Sequence, residues 1–422
     1  MALSVLYAMG MEKFQFTMTM TKIMTMNFNQ QQTEAIAKAV KWHQESNEQV
    51  FRLFGYAGTG KTTIARTIVE QLGVNAAYLA PTGKAVSVLR RKGCENAMTI
   101  HRFAFQPVGE NDDGEPIFLA MDSPNNGAAP DLIVLDESSM VGAREGQTLL
   151  DFGIPILSLG DPAQLPPVRA FEFFTNAEPD VMLDIIERTA SPKLLQAAGM
   201  LRDGKTLPER EYDDIAIRSG KPRLEDLMEF IDDNSQILTC KNFARNSMNN
   251  RIREALGFTG KFPVIGDKII ATTNDYGLDV CNGSQWRVIG KMTSDESLKP
   301  YWVWIERGGS KPLRIKCGPR YKMLCQSLDE PERPPVNMIV NSDCFLDVPE
   351  DDTMFQYAAE KVKMAMRHPG GIDFGYVTTV HKSQGSEYDR VLFVEDYLQG
   401  TDMARLRYTA LTRARSFLGY YR

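Results

Sequence analysis

Apolar residues recur along this chain in two alternating rhythms. Residues 30–45 (QQQTEAIAKAVKWHQE) are helix formers, with Ile36, Ala37 and Val40 at helical spacing. A short apolar run at 50–54 follows, then a glycine loop, then a pattern that predicts a helix over 62–72. A second strand is predicted at 76–80 and a second helix at 83–92, with apolar runs bounded by turn residues at 131–135 and 154–159. Strands alternating with helices argue for a parallel sheet with covered faces. The rhythm breaks at 106–130, where Gly, Pro, Asn and Asp surround a short apolar centre at 117–121. That stretch reads as an inserted hairpin or loop. The α/β pattern resumes after residue 180 with a helix at 191–203, a strand at 236–239 and a helix at 242–256. Residues 284–345 change character. Short apolar stretches at 286–289, 301–305, 313–316 and 336–340, between Gly, Pro and Asp turns, predict a small all-β insert. Strands at 375–380 and 390–394 and a helix near 403–414 complete the pattern.

At roughly 150 residues per domain, a chain of 422 residues divides into two or three parts. The pattern places a first α/β domain at 27–180 and a second at 181–283 with 346–422, interrupted by the β-rich insert at 284–345. The first 26 residues carry Met1, Met9, Met11, Met18, Met20, Met24 and Met26 without a basic leader region. They read as a disordered tail, or as sequence upstream of a natural start at Met26. No apolar run approaches the roughly 20 residues that span a bilayer. Lys and Arg against Asp and Glu give 48 − 54 = −6. A chain of this sign does not coat nucleic acid non-specifically, so any nucleic acid would need a local basic track. The six cysteines form no CxxC pair and the four histidines do not cluster. This argues against a disulfide framework or a structural zinc site and for a reducing, cytoplasmic setting.

Candidate chemistry begins at Gly55-Tyr56-Ala57-Gly58-Thr59-Gly60-Lys61-Thr62, which fits GxxxxGK[ST]. Glycines let successive backbone N–H groups turn onto phosphate oxygens, Lys61 reaches the β- and γ-phosphates, and the Thr62 hydroxyl ligates Mg²⁺. A helix starting at Thr62 adds its positive end. The apolar run before Asp136-Glu137 puts an acidic pair at a strand end, where Asp136 can hold Mg²⁺ and Glu137 can orient or deprotonate a water. Gly160-Asp161-Pro162-Ala163-Gln164-Leu165-Pro166-Pro167 follows a further strand. It is either a proline-stiffened turn or a loop that presents Gln164 to the γ-phosphate or its attacking water.

In this order the motifs resemble those of superfamily 1 helicases, most closely the RecD/Dda-like 5′→3′ branch. The resemblance runs from about Asn27 to the C-terminus. Phe28-Asn29-Gln30-Gln31-Gln32 is similar to the Q motif, and 55–63, from Gly55 to Thr63, to motif I. Ala80-Pro81-Thr82-Gly83-Lys84-Ala85 resembles motif Ia and Thr99-Ile100-His101-Arg102 motif Ib. Asp136-Glu137, the Gly160 loop and Glu187-Arg188 resemble motifs II, III and IV. VTTVHKSQGSEY at 377–388 and YTALTRAR at 408–415 resemble motifs V and VI. The resemblance implies two RecA-like parallel-sheet domains with ATP and Mg²⁺ between them. It adds a pin at the 106–130 insert, with Phe118 as a candidate wedge, and a Src-homology-3-like barrel at 284–345. It implies that Gln32 reads the adenine and Glu387 the ribose. Arg188 and Arg413 would reach the γ-phosphate, and Pro81, Thr82, Lys84, His101, Thr379 and His381 would line the single-strand track.

Charge agrees in part. Residues 83–102 hold Lys84, Arg90, Arg91, Lys92 and Arg102 against Glu95 alone, and 403–422 hold five arginines and no acid. The latter run can equally be a solvated helix face. The expectation is an ATP-dependent helicase or translocase, monomeric, acting on single-stranded and forked DNA. Single-strand-binding or replisome proteins would be further partners, in a bacterial or phage-infected cell. The alternative is a DNA-stimulated ATPase that remodels or clamps nucleoprotein without unwinding.

Overall fold

The computed structural model describes residues 28–422, apart from 111–115, 126–128, 168–170, 188–190, 273, 276, 295–301, 308–309, 317–319, 342–370 and 399–401. The N-terminal 1–26 segment with Met26, and Arg188, lie outside the described residues.

Helix α1 (Gln30–Glu45) starts at a reciprocal cap. The Asn29 side chain accepts from the Gln32 N–H, and the Gln32 side chain accepts from the Asn29 N–H. Its buried face is Gln32, Ala35, Ile36, Ala39 and Trp42. Burial of a side chain such as Ile36 is worth about 1.5–3 kcal/mol. After it come β1 (Val50–Gly55), α2 (Lys61–Leu72), β2 (Ala76–Ala80), α3 (Gly83–Arg91), β3 (Met98–Thr99) and α4 (Ile100–Ala104). The predicted insert contains an antiparallel hairpin, β4 (Phe105–Glu110) and β5 (Pro116–Ala120). Then follow β6 (Leu132–Leu135), α5 (Ala143–Asp151), β7 (Ile156–Gly160) and β8 (Val181–Leu183). These strands make a parallel sheet in the order β3-β2-β6-β7-β1-β8. Because β8 pairs with β1, the first sheet runs past residue 180. A three-residue strand leaves no periodicity to read.

The second unit contains α6 (Pro192–Arg202), β9 (Arg210–Glu211), β10 (Ile215–Arg218), α7 (Leu224–Met228), β11 (Ser235–Thr239) and α8 (Asn242–Ala255). An antiparallel segment follows: β12 (Lys268–Ala271), β13 (Gln285–Val288), β14 (Thr293–Ser294), β15 (Trp302–Arg307), β16 (Ser310–Lys316), β17 (Arg320–Ser327), β18 (Val336–Asn341) and β19 (Ile372–Phe374). The chain then returns through β20 (Val377–Thr379), β21 (Tyr388–Val394), α9 (Met403–Leu411) and β22 (Ala414–Tyr421). The second sheet has the order β20-β11-β21-β22-β10-β9 and is parallel except at its short edge strand β9.

Two sequence readings change here. The helix expected near 403–414 stops at Leu411, and after a turn at Thr412 and Arg413 the chain enters β22 at Ala414, inserted between β21 and β10. Exposed Arg415 and Ser416 precede buried Leu418 to Tyr421 and disguise that strand as a polar tail. The β-rich part is also larger than 284–345. Its antiparallel sheet, β14-β17-β13-β12-β19 with β18 on β17, recruits β12 and β19 from sequence assigned to the second α/β domain. Trp286, Val288, Met323, Cys325 and Val340 fill its own core. This sheet meets the first unit at Gly83, where an added Cβ would stand 2.1 Å from the Cys281 Cβ. Among the described residues no helix is long and apolar enough to cross a membrane.

Candidate nucleotide cleft and nucleic-acid groove

The phosphate loop leaves the C-terminal end of β1, between β7 and β8, where a parallel sheet presents its loops. Gly58 and Gly60 adopt φ of 84° and 86°, a region open to glycine at no steric cost. Gly60 thereby turns the chain into α2, so that Lys61 and Thr62 occupy its first turn. The ammonium of Lys61 donates to the carbonyls of Gly55 at 2.6 Å and Tyr56 at 3.1 Å. Thr62 donates its hydroxyl to Asp136 Oδ2 at 3.1 Å, joining the end of β1 to the end of β6. The other Asp136 oxygen accepts from the Glu137 N–H at 2.9 Å. Glu137 sits at φ 53°, a left-handed conformation uncommon for a side-chain-bearing residue.

A cleft of about 320 Å³ opens above this loop. Its walls include Ala57, Gly58, Gly60, Lys61, Thr62, Thr63, Asp136, Glu137 and Gln164 from the first unit. Glu387 and Arg413 come from the second unit. Gly55 and Thr59 of the loop and Gln32 of α1 are not among the cleft's lining residues, and Gln32 Nε2 donates to the Thr59 carbonyl at 3.1 Å. Arg413 is 3% exposed. Its guanidinium donates to the carbonyls of Thr409 and Ser386, both at 3.0 Å, and to the Thr412 hydroxyl at 3.2 Å. Burial pushes the Glu137 carboxyl above the ordinary range, and the Arg413 charge opposes that push. Glu387 pairs with Arg415 at 3.2 Å. Arg188 lies outside the described residues; Glu187, the residue before it, donates its N–H to the Gly58 carbonyl at 2.9 Å.

A second cleft, about 350 Å³, is lined by Pro81, Thr82, Lys84, His101 and His381, with Phe118, Asn274 and Asn282. It draws on both α/β units and on the segment leading into the antiparallel sheet. His101 stacks on Phe105 and meets Phe118 edge-on at 5.5 Å. Phe118 therefore belongs to the stem of the hairpin, opposite Pro107. Burial pushes both His101 and His381 below the usual imidazole value, so neither brings a charge to a phosphate at neutral pH. Thr379 ends β20, 6% exposed, and does not line this cleft.

Lys84, expected on the single-strand track, lines the second cleft but is held by partners of its own. It is 4% exposed, ion-paired to Asp329 at 3.4 Å and hydrogen-bonded to the Tyr388 hydroxyl at 3.0 Å. Burial works against its charge, but Asp329 and Tyr388 outweigh it and hold the ammonium protonated. The lysine thus ties α3 to the second sheet and to the antiparallel sheet. Four of the five C-terminal arginines also resolve as structural. Arg405 pairs with Glu172, Arg407 with Glu395, Arg415 with Glu387 and Asp389, and Arg422 with Glu209. Of the basic residues at 83–102, Arg91, Lys92 and Arg102 are exposed, and Lys92 lines the nucleotide cleft.

Sequence reasoning missed Tyr408, whose hydroxyl touches the phosphate loop across the cleft: it accepts from the Ala57 N–H at 3.3 Å. The one sequence signal was its place at the head of YTALTRAR.

A family profile described as an AAA domain matches residues 27–220, and one described as a UvrD-like helicase C-terminal domain matches 374–419. The ATP-dependent RecD2 DNA helicase of Deinococcus radiodurans is 25% identical over 88% of this chain. The ATP-dependent DNA helicase Dda of phage T4 is 27% identical over 51% of it. An uncharacterised protein of Methanocaldococcus jannaschii is 25% identical over 92%. The chain spans 47%, 54% and 37% of the lengths of these relatives. Among solved structures, Pif1 helicases acting at forked double-stranded DNA superpose with a TM-score of 0.54 at 18% identity, covering 94% of this chain and 92% of theirs. Bacteroides Pif1 bound to ADP-AlF3 and single-stranded DNA gives 0.52 at 18%, covering 92% and 91%. Motifs and relatives agree with the fold, and together they support a superfamily 1 helicase of the RecD, Pif1 and Dda type.

Proposed function

We propose that this chain is an ATP-dependent DNA helicase that moves 5′→3′ on single-stranded DNA and opens forked duplexes. The observation that carries the reading is the shared cleft. The first unit supplies the phosphate loop and the acidic pair, the second supplies Arg413, and the second groove adjoins the same two units. Closing the units completes a hydrolytic site, and opening them dismantles it. The relatives RecD2 and Dda are described as ATP-dependent DNA helicases.

On ATP binding, Lys61 would exchange the Gly55 and Tyr56 carbonyls for β- and γ-phosphate oxygens. Thr62 and Asp136 offer two hard oxygen ligands in contact, a set that suits Mg²⁺ shared with phosphates. When bound there, Mg²⁺ would neutralise phosphate charge. Glu137 takes a proton from the attacking water as its oxygen bonds to the γ-phosphorus. The bond from that phosphorus to the β–γ bridging oxygen breaks, and its electron pair leaves with ADP. Gln164 Oε1 is buried with no partner among the described residues and is free to accept a hydrogen from that water. Arg413 offsets the charge that develops, and Arg188 is proposed as a second cation there. Gln32 and Glu387 are proposed for adenine and ribose. Pro81, Thr82, His101 and His381 are proposed for the DNA strand, with Thr379 beneath them. The antiparallel sheet is proposed as the counterpart of the Src-homology-3-like barrel, and the hairpin β4–β5 as the pin.

The test is unwinding of forked duplexes carrying a 5′ or a 3′ single-stranded tail, with ATP and Mg²⁺. Strand separation is expected only with the 5′ tail. Unwinding from the 3′ tail would overturn the polarity. DNA-stimulated hydrolysis without any unwinding would favour the remodelling alternative.

A further inference from the structure

A hydrogen-bonded chain crosses the nucleotide cleft that the catalytic assignments leave unused. Tyr408 lies on α9 in the second unit, 2% exposed, with its ring in that unit's core. Its hydroxyl accepts from the Ala57 N–H of the phosphate loop at 3.3 Å and donates to Asp161 Oδ2 at 3.0 Å. The same carboxylate oxygen accepts from Gln164 Nε2 at 3.3 Å, and the other accepts from the Ala163 N–H at 3.0 Å. A second link runs alongside, from the Leu165 N–H to the Thr409 hydroxyl at 3.0 Å.

An ionised carboxylate can only accept hydrogen bonds. Asp161 therefore selects the amide orientation of Gln164 that turns Nε2 toward itself and leaves Oε1 for the cleft. That oxygen is buried and unpartnered, which is costly in a folded protein unless a ligand supplies the donor. The Tyr408 phenol stays protonated, because burial and the Asp161 charge hold its titration well above the ordinary range. It remains a donor at any working pH.

We infer that Tyr408 is a positioning residue for hydrolysis: its hydroxyl joins the phosphate loop to Asp161 and so aims Gln164 at the attacking water. The inference rests on the proposed ATPase reading. Since the hydroxyl comes from the second unit, the aim of Gln164 depends on that unit being docked. This gives closure a second route to the chemistry besides Arg413.

The experiment compares Tyr408→Phe, Asp161→Asn and the double variant in the full chain. The readouts are steady-state ATP turnover with saturating single-stranded DNA, KM for ATP, equilibrium binding of fluorescent ADP, and thermal unfolding. Phenylalanine keeps the ring packed and deletes only the hydroxyl. Asparagine can donate as well as accept and lets Gln164 turn over. Each single variant should lower kcat about tenfold, or about 1.4 kcal/mol in barrier, with KM and ADP affinity within about threefold. The double variant should be no worse than the poorer single variant, because both cut one chain. A kcat within twofold of wild type for either soluble single variant would overturn the inference, as would losses that multiply in the double. If Tyr408→Phe does not fold, Asp161→Asn decides by the same criterion. Wild-type protein without DNA-stimulated turnover would overturn the ATPase reading itself, and this inference with it.

Discussion

Replacing Arg413 by alanine separates the chemistry of the cleft from its assembly. The guanidinium is 3% exposed and held by the carbonyls of Thr409 and Ser386 and the hydroxyl of Thr412. Three fixed bonds aim a cation into a cleft that it enters from the second unit, so its loss should be felt where charge develops. Removing such a finger costs about 10³–10⁵ in rate, which is about 4–7 kcal/mol of barrier. The structural cost is smaller. Two carbonyls lose a donor, at about 1–3 kcal/mol for each group left dry, and water entering from the cleft can replace part of it. DNA-stimulated turnover should therefore fall at least about a thousandfold, while ATP binding through the phosphate loop persists and the fold survives. The variant also has a pH signature. Arg413 opposes the upward push on the Glu137 carboxyl, so without it Glu137 ionises at higher pH. Hydrolysis needs the ionised form, so the acid limb of the kcat profile should move to higher pH. Stopped-flow phosphate release across a pH series, with fluorescent-nucleotide binding as control, measures both effects. Turnover within tenfold of wild type, or an acid limb that stays in place, would refute a nucleotide shared between the units.

Lys61→Ala should abolish turnover, and it should shift unfolding by no more than about 1 kcal/mol, because the lost bonds go to two loop carbonyls at the open cleft; calorimetry and phosphate release check the two halves. Glu137→Gln should bind ATP and DNA but not hydrolyse. Since the folded carboxyl titrates above its unfolded value, its ionisation costs stability as pH rises through that range. The amide should thus raise the melting temperature near neutral pH, by up to about 1 kcal/mol in stability, and a lower melting temperature would contradict the assignment. Lys84→Ala should destabilise by about 3 kcal/mol, because it leaves Asp329 uncompensated in a largely buried site. Single-stranded DNA affinity corrected for the folded fraction should change little, and a large specific loss would return Lys84 to the DNA track.

Much of the fold was legible because its signals are local. The phosphate loop, its flanking β1 and α2, and the acidic pair after β6 depend on spacings of a few residues, and the structure places them as read. Non-local features were hidden for equally physical reasons. Strand β22 is buried only because β21 and β10 flank it, and its leading arginine reads as solvent-facing. Strands β12 and β19 carry no mark of the antiparallel sheet they join, since pairing partners about 100 residues apart leave no trace in either segment.

The candidate site divides along the same line. Residues whose place follows from a backbone turn, Gly58, Gly60, Lys61 and Thr62, were legible one by one. Cations were not, because a basic residue in sequence is only a charge without a partner. Lys84 and four C-terminal arginines each meet a carboxylate brought from elsewhere in the fold. A run of arginines therefore measured the assembly of the second unit rather than affinity for phosphate. Arg413 is the exception, because its three bonds all go to neutral oxygens and leave its charge uncommitted at the cleft. That difference in partner, and not the identity of the residue, separates an arginine that holds the fold from one that can act on a nucleotide.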